Sequence, residues 1–243
     1  MKRIYLVFCV PLFLFSGEVE DSLLIKGVLS GQPSIVLKAI KDGADMNAQK
    51  GGISPLILAC WKGKVSCAKI LIEKGADVHL VDREGNTPLM LASKGGFSEI
   101  VKSLLTVDQL VENKTSSHGW TALMFAASTG NCEISKLLLN AGARVDTTNN
   151  YGGTALIQAA MEGKNDCIRM LIQAGADVDH QTLVGETALI WSVKKSHLPT
   201  VKLLLSSGAD PTIRSSSDAT AILLAKEGKN RAIYKLLKKA AKR

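Results

Sequence analysis

A string of four residues returns along the chain at an almost constant interval. It begins with Ser or Thr, continues with Pro or Ala, and ends with two apolar residues. The six copies start 33, 34, 33, 33 and 33 residues apart, at Ser54, Thr87, Thr121, Thr154, Thr187 and Thr220. A second string, Gly-Ala followed by Asp or Arg, recurs in the same register at Gly43, Gly75, Gly142, Gly175 and Gly208. Such a period indicates a repeat array, in which each structural unit stacks on the next.

Each four-residue string has the chemistry of a helix start. A Ser or Thr at the N-cap accepts a hydrogen bond from a free backbone amide, and Pro55 and Pro88 suit the next position because they have no N–H to satisfy. Small residues such as Ala92 and Ala159 follow and let a neighbouring helix approach closely. After a turn and a second apolar run, the Gly of the second string can close the second helix. The predicted unit is two helices followed by an extended finger.

These strings and their period resemble the ankyrin repeat, whose signature is T-P-L-H-x-A on a period of about 33 residues. The resemblance covers roughly residues 22–243. It implies an all-α repeat solenoid of stacked helix-turn-helix units with β-turn fingers. The chain is expected to divide into an N-terminal capping unit over 18–49, five full repeats over 50–216 and a C-terminal capping unit over 217–243.

The chain departs from the family pattern in two places. The fourth position of the string, usually His in the family, is apolar in all six copies. Because that His helps to tie adjacent loops together, we expect this array to depend more on apolar packing. The second departure follows Leu105, where the Gly-Ala-Asp string is missing, so a different helix end is expected around 107–110. Asn113 lies in this segment within Asn-Lys-Thr, a glycosylation sequon in a chain secreted by a eukaryotic pathway.

Residues 1–17 have the layout of a secretory signal peptide. Lys2 and Arg3 precede an apolar run over 4–15, and an acidic stretch follows. The run is too short to cross a bilayer, which takes about 20 apolar residues, and Pro11 interrupts it. We therefore expect a bacterial-type leader that exports the chain. The positions before the expected cleavage points are not the small residues that cleavage favours, so an uncleaved anchor is the alternative.

Loss of the leader would remove Cys9 and leave four cysteines. An even number in an oxidising compartment permits disulfides. Cys60 near the end of one helix and Cys67 near the start of the antiparallel one lie on faces that pack together, which predicts a Cys60–Cys67 disulfide if the chain is exported. The alternative is that buried cysteines act as small apolar residues. The cysteine spacings fit no zinc site, and neither a metal nor a cofactor is expected.

The resemblance implies a protein-binding surface made by the finger tips and the exposed ends of the first helices. The candidate contact residues at these positions are Trp61, Arg83, Lys94, His118, Trp120, Tyr151, Met161, Leu183, Val184 and Lys194. Large apolar groups exposed together mark contact sites, and Trp and Tyr are frequent anchors in them. Alternatively, each such group packs against the next finger. Trp191 occupies a helix position filled by Leu58 in the first full repeat, so we assign it to the core.

The C-terminal helix combines many cations with an apolar side that carries Ile233, Leu236 and Leu237. A basic amphipathic helix can lie on an anionic membrane or bind acidic partners. A terminal repeat, however, needs a polar outer face to stay soluble. We favour the capping interpretation of this helix.

No catalytic pattern accompanies the repeats. The four histidines lack metal-site spacing, and the sequence has neither a nucleophile elbow nor a phosphate loop. The basic residues are not interleaved with stacking aromatics, which disfavours nucleic-acid binding. The sequence predicts a monomeric, non-catalytic scaffold that binds an unidentified protein in the periplasm or outside the cell. The alternative is a membrane-associated adaptor held by an uncleaved leader or by its basic C-terminal helix.

Overall fold

The computed structural model describes residues 23–108 and 116–242, and the predicted leader and Asn113 lie outside these ranges. Within the described residues the chain forms fourteen α-helices and no strand, with one isolated bridge between Lys50 and Ile53. The helices are α1 (Leu23–Ser30), α2 (Pro33–Lys41), α3 (Pro55–Trp61), α4 (Val65–Glu73), α5 (Pro88–Gly95), α6 (Ser98–Val107), α7 (Ala122–Thr129), α8 (Cys132–Asn140), α9 (Ala155–Met161), α10 (Asn165–Gln173), α11 (Ala188–Lys194), α12 (Leu198–Ser206), α13 (Ala221–Glu227) and α14 (Arg231–Ala240). The predicted all-α repeat architecture is confirmed.

The helices form seven consecutive pairs arranged in two layers. The first helix of each pair packs against the first helix of the next pair, and together these helices form the first-helix layer. The second helices pack on one another in the same way and form the second-helix layer. The core lies between the layers and runs without interruption through all seven pairs. Each pair therefore buries its apolar side against its neighbours.

The predicted helix starts are confirmed in all six copies of the four-residue string. Each Ser or Thr hydroxyl accepts a hydrogen bond from the backbone N–H three residues later; Thr154, for example, accepts from Ile157. A cap of this kind contributes about 1 kcal/mol to helix stability. The amide that is capped belongs to the fourth position of the string, whose apolar side chain is buried in the first five copies. Leu223 in the last copy is 41% exposed, because no further described repeat covers it.

The fingers between the pairs are joined into a ribbon by backbone hydrogen bonds. One amide in each of the last four fingers donates to a carbonyl of the finger before it. The bonds run from Ser117 to Glu84, from Asn150 to His118, from Leu183 to Tyr151 and from Ser216 to Val184, with N···O distances of 2.8, 3.1, 3.1 and 2.9 Å. The finger tips are therefore held in register from one repeat to the next.

The ribbon requires a residue without a side chain where two fingers meet. Gly152 has a φ of +75°, and a Cβ placed on it would lie 2.6 Å from the amide nitrogen of Leu183 in the next finger. The corresponding residue of the last finger is Asp218, which has a φ of +58°. Asp tolerates this left-handed backbone better than most residues, and no later finger in the described residues approaches it. Close approach, more than the φ angle, thus explains Gly at position 152.

The second full repeat ends its second helix differently, as expected. Helix α6 ends at Val107, and the following Asp108 has an extended backbone with φ −138° and ψ 108°. In the neighbouring repeat the residue after α8, Ala141, keeps a near-helical backbone and leads into Gly142. The missing Gly-Ala-Asp string therefore changes how the chain leaves this helix.

One disulfide is present in the described residues, and it differs from the predicted one. It joins Cys132 at the start of α8 to Cys167 in α10, with their Cα atoms 5.0 Å apart, so it links the second helices of neighbouring repeats. The predicted Cys60–Cys67 disulfide is wrong, since both thiols are free and buried. The Cys67 Sγ faces the preceding unit and lies 3.8 Å from the carbonyl oxygen of Gly27. Burial raises the pKa of the Cys60 thiol, which keeps it protonated and unreactive.

The basic C-terminal helix packs as a cap. Ile233 and Leu237 of α14 are fully buried against the rest of the array, and Leu236 is half-buried. The apolar side of α14 is therefore occupied within the fold, which supports the capping interpretation. None of the helices in the described ranges is long and apolar enough to cross a membrane.

The close approach at Gly152 leads to a stability prediction. Gly152→Ala is expected to lower the free energy of unfolding by about 3 kcal/mol, because it combines backbone strain with a clash against the next finger. Urea unfolding followed by circular dichroism measures the loss. Gly142→Ala is the matched control, since Gly142 has a φ of +95° but has no atom within 4 Å of an added Cβ. The control should lose only about 1–2 kcal/mol, and equal losses would show that finger contact is unimportant.

Candidate protein-binding surface

Three exposed apolar side chains lie together on neighbouring finger tips. Tyr151 is 63% exposed, and Leu183 and Val184 of the next finger are 76% and 55% exposed. The hydrogen bond from the Leu183 amide to the Tyr151 carbonyl brings these two fingers together. We call Tyr151, Leu183 and Val184 the fingertip patch. It unites three residues that the sequence pattern had nominated for partner contact.

Polar side chains inside the two fingers fix the shape of the fingertip patch. The Asn149 Oδ1 accepts hydrogen bonds from the amides of Tyr151 and Gly153, at 3.0 and 2.9 Å. In the next finger the Thr182 hydroxyl accepts from the amide of Glu186 at 3.0 Å. Both loops are therefore closed by their own side chains before any partner arrives. Ordering these two loops therefore costs little conformational entropy when a partner binds.

The remaining finger tips that the sequence nominated carry polar groups. Arg83 and His118 are both exposed. The stem of Arg83 lies over the backbone of Gly52 in the preceding finger, where an added Cβ would come within 2.8 Å of its Cγ. The His118 ring lies 3.4 Å from the Ser117 hydroxyl. These tips continue the ribbon towards the N-terminus as a polar flank of the fingertip patch.

Trp120 does not belong to the exposed tips, although the sequence pattern placed it among them. Its ring is half-buried and stacks against Phe125 of α7, with ring centroids 4.9 Å apart and planes inclined by 37°. Lys94 of the preceding repeat stands over the same Phe125 ring, with its Nζ 5.4 Å from the centroid. Trp120 therefore connects its finger to the first-helix layer.

The nominated helix-end residues form further pairs of a cation with an aromatic ring. The Lys62 Nζ lies 3.8 Å from the centroid of Trp61, and the Lys194 Nζ lies 4.9 Å from that of Trp191. Lys194 also forms an ion pair with Glu186, which is nearly buried. Met161 is half-buried, so its side chain contributes little exposed surface. The helix ends thus present lysines lying over aromatic rings.

Sequence reasoning missed that the rings of Phe125 and Trp191 reach the surface. Both occupy the helix position where Leu58 is fully buried, yet their larger rings are only partly buried. Trp191 still packs against the core, as predicted, and its buried Nε1 has no hydrogen-bond partner among the described residues. The signal that could have found them is side-chain size, because an aromatic ring does not fit wholly into the space of a leucine.

The described part of the chain has no group of three or more His, Cys, Asp or Glu side chains placed to hold a metal ion. Its notable features are a preorganised ribbon of fingers, the fingertip patch and the lysine–aromatic pairs. Together with the two-layer array these features define a helical-repeat binding scaffold. A family model described as "Ankyrin repeats (3 copies)" matches residues 24–113, 96–182 and 146–215. The chain belongs to the ankyrin repeat family, whose fold is generally a non-catalytic protein-interaction module.

Solved structures support the same assignment. The human ASB11 ankyrin repeat domain superposes with a TM-score of 0.82 at 28% identity, covering 89% of this chain and 96% of that domain. The ankyrin repeat domain of Bcl-3, a member of the IkappaB protein family, superposes with a TM-score of 0.76 at 27% identity and covers 91% of this chain and 100% of that domain.

The curated relatives are matched over only a small part of their length. Mouse ankyrin repeat and SAM domain-containing protein 6 is 48% identical over 68 residues, which are 28% of this chain and 8% of the relative. Human ankyrin repeat and KH domain-containing protein 1 is 35% identical over 96 residues, which are 39% of this chain and 4% of the relative. The chain thus spans less than a tenth of the length of either relative.

The different burial of Trp120 and Tyr151 gives a testable contrast. Trp120→Ala is expected to lower the free energy of unfolding by about 2 kcal/mol, because it removes a ring packed between finger and helix. Tyr151→Ala should change it by less than about 0.5 kcal/mol, because most of that ring faces solvent. Thermal and urea unfolding of the two variants measure both effects. A loss for Tyr151→Ala as large as that for Trp120→Ala would contradict the assigned exposures.

Proposed function

We propose that this chain is an exported scaffold that binds a protein partner through the fingertip patch. The observation that carries the proposal is the joint exposure of Tyr151, Leu183 and Val184 on two fingers that hydrogen bonds hold in place. A single exposed apolar residue needs no explanation, but a cluster on a preorganised surface is typical of contact sites. A tyrosine in such a cluster is a favoured anchor.

The lysine–aromatic pairs extend the proposed contact surface along the first-helix layer. Lys94 is exposed beside Phe125, and Lys194 is exposed beside Trp191. A partner can place a carboxylate near the Lys94 ammonium group and apolar atoms on the exposed parts of the Phe125 and Trp191 rings, whereas the Lys194 ammonium group is already paired with Glu186. Charges of this kind contribute mainly to the association rate and to specificity. The fingertip patch is therefore expected to supply most of the affinity.

Two observations support the proposed export to the periplasm or the cell exterior. Residues 1–17 carry the pattern of a secretory leader. The Cys132–Cys167 disulfide fits an oxidising compartment, since structural disulfides are rare where thiols are kept reduced. The relatives named above are animal proteins, so this part of the proposal depends on the leader and the disulfide alone.

Paired substitutions test the fingertip patch. A photo-crosslinking amino acid at position 151 first captures the partner in the native cell, and the affinity of the identified partner is then measured by titration. Tyr151→Ala with Leu183→Ala should weaken that affinity at least about tenfold, because two apolar anchors are lost. The matched control is Leu29→Ala with Leu37→Ala, which trims two exposed leucines on the first helix pair. Unchanged affinity of the fingertip variant would refute the assigned surface.

Thiol counting tests the compartment and the fate of the leader together. Cells are quenched with acid, and the protein is alkylated under denaturing conditions, with and without prior reduction. An exported chain without its leader should take two labels before reduction, on Cys60 and Cys67, and four afterwards. A retained leader adds one label on Cys9 in each case. Equal label counts with and without reduction would show that the disulfide is absent in the cell and would remove its support for export.

A further inference from the structure

The second-helix layer carries one cation at the same position of six successive helices. The residues of this cation row are Lys69, Lys102, Lys136, Arg169, Lys202 and Lys235. Each stands two residues before a fully or nearly buried leucine, such as Leu171 after Arg169 or Leu204 after Lys202. Positions two apart on a helix point in nearly opposite directions. The row therefore faces away from the core along the outside of the array.

In the N-terminal part of the row, carboxylates lie between the cations. The Lys69 Nζ is 3.0 Å from the Glu99 carboxylate, and the Lys102 Nζ is 3.3 Å from Glu99 and 3.2 Å from Glu133. Hydrogen bonds from Lys69, which has the larger effect, and from Lys102 hold the pKa of Glu99 below its usual range. Mixed charges thus connect three neighbouring helices. This part of the row neutralises itself.

In the C-terminal part the carboxylates are missing while the cations continue. Glu99, Glu133 and Asp166 each lie three residues before a cation of the row, but the equivalent positions of the last two second helices are Pro199 and Ala232. Helices α12 and α14 contain neither Asp nor Glu. Their exposed cations, with the lysine just beyond α14, form what we call the cationic face: Lys202, Arg231, Lys235, Lys238, Lys239 and Lys242.

The arrangement places most of these charges side by side. Arg231, Lys235 and Lys239 are spaced four residues apart, which puts them on one side of α14, and Lys242 follows just beyond the end of the helix. Lys202 and Lys239 line the same depression between α12 and α14. The nearby carboxylates Asp210 and Glu227 belong to a loop and to α13, and Asp210 accepts hydrogen bonds from Thr212.

A face of one sign is unfavourable unless something offsets it. Like charges on adjacent helices repel one another. In the N-terminal part of the row this repulsion is avoided, because cations and carboxylates alternate from Lys69 to Glu133. The mixed charges in the N-terminal part of the row are therefore sufficient to keep the outer face soluble. The loss of every acidic residue from two consecutive outer helices points to an anionic ligand.

The chemistry of the cationic face selects the kind of anion. No residue of α12 or α14, all of which the structure describes, is an exposed large apolar residue, so the face lacks the anchors on which protein interfaces depend. Five of its six cations are lysines on flexible stems, which suit a diffuse array of charges better than a shaped pocket. Clusters of four to eight Lys and Arg residues on an amphipathic helix bind anionic lipid surfaces.

We propose that the cationic face binds the surface of a membrane that contains anionic lipid. The contact is electrostatic and peripheral, because the apolar residues Ile233 and Leu237 of α14 are buried in the core and are unavailable for insertion. The face shares no residue with the fingertip patch. The chain can therefore lie on a lipid surface through its last second helices while the fingers remain open to a protein partner.

Vesicle binding of the purified full chain tests this proposal. Co-sedimentation compares vesicles containing phosphatidylglycerol with vesicles of phosphatidylcholine alone, which report any binding through other parts of the chain. Lys202→Gln, Lys235→Gln and Lys239→Gln together should weaken binding to the anionic vesicles about 100-fold, at roughly 1 kcal/mol for each charge. Raising the salt to about 0.15 M should weaken the unsubstituted chain as well.

The cation row supplies a control with the same change in net charge. Lys69→Gln, Lys102→Gln and Lys136→Gln remove three cations from equivalent positions in the N-terminal part of the row. This variant should keep most of its binding to anionic vesicles. An equal loss of vesicle affinity in the two variants would overturn the proposal, because net charge alone would then drive binding. Equal binding to anionic and phosphatidylcholine vesicles would also overturn it, even if an acidic protein or a nucleic acid bound to the cationic face instead. Partner affinity measured on the same variants separates this outcome from failure of the fingertip patch.

Discussion

Contact between adjacent repeats is the constraint on which the whole structure depends. In each pair of short helices, apolar residues lie where the two helices meet and also where they meet the adjacent pairs. Ile157 in α9 is buried, for example, although its helix has only seven residues. Isolated helices of this length are unstable in water, so their stability must come from packing between units. The same contact orders the fingers, because each of the last four donates a backbone hydrogen bond to the finger before it.

The apolar fourth position of the string and the different residues of the last unit are related to the same constraint. The apolar fourth position of the string adds five buried side chains to the interfaces between repeats, among them Met124 and Ile190. In the last described unit no further described repeat covers the corresponding positions, and some residues there differ. Leu223 becomes exposed, and Asp218 takes the place that Gly152 and Gly185 hold where another finger follows.

Sequence reasoning predicted what is determined within one repeat. The helix starts, the two-helix unit and the altered end of α6 all depend on residues close together in the chain. The disulfide joins side chains of neighbouring repeats, whose detailed contacts the repeat pattern does not give. Trp120 stacks on Phe125 of the helix that follows it, a contact that its position in the finger did not reveal. Cys132 and Cys167 occupy different positions in their helices, at the first residue of α8 and the third residue of α10, so alignment of the repeats does not pair them. The exposed tips Tyr151, Leu183 and Val184 were predictable because an unburied finger tip is fixed by its own turn.

Surface charge shows how a repeat array can vary its surface chemistry along its length. Equivalent positions have equivalent geometry, so a substitution changes chemistry at a known place without moving its neighbours. In the second-helix layer Glu99 and Glu133 turn a row of cations into contacts that stabilise adjacent helices, whereas Pro199 and Ala232 leave the later cations open. The fingers vary in the same way, from the charged Arg83 to the apolar Leu183. Because the core residues are nearly the same in every unit, such differences on the outside reflect what the surface contacts more than what the fold requires.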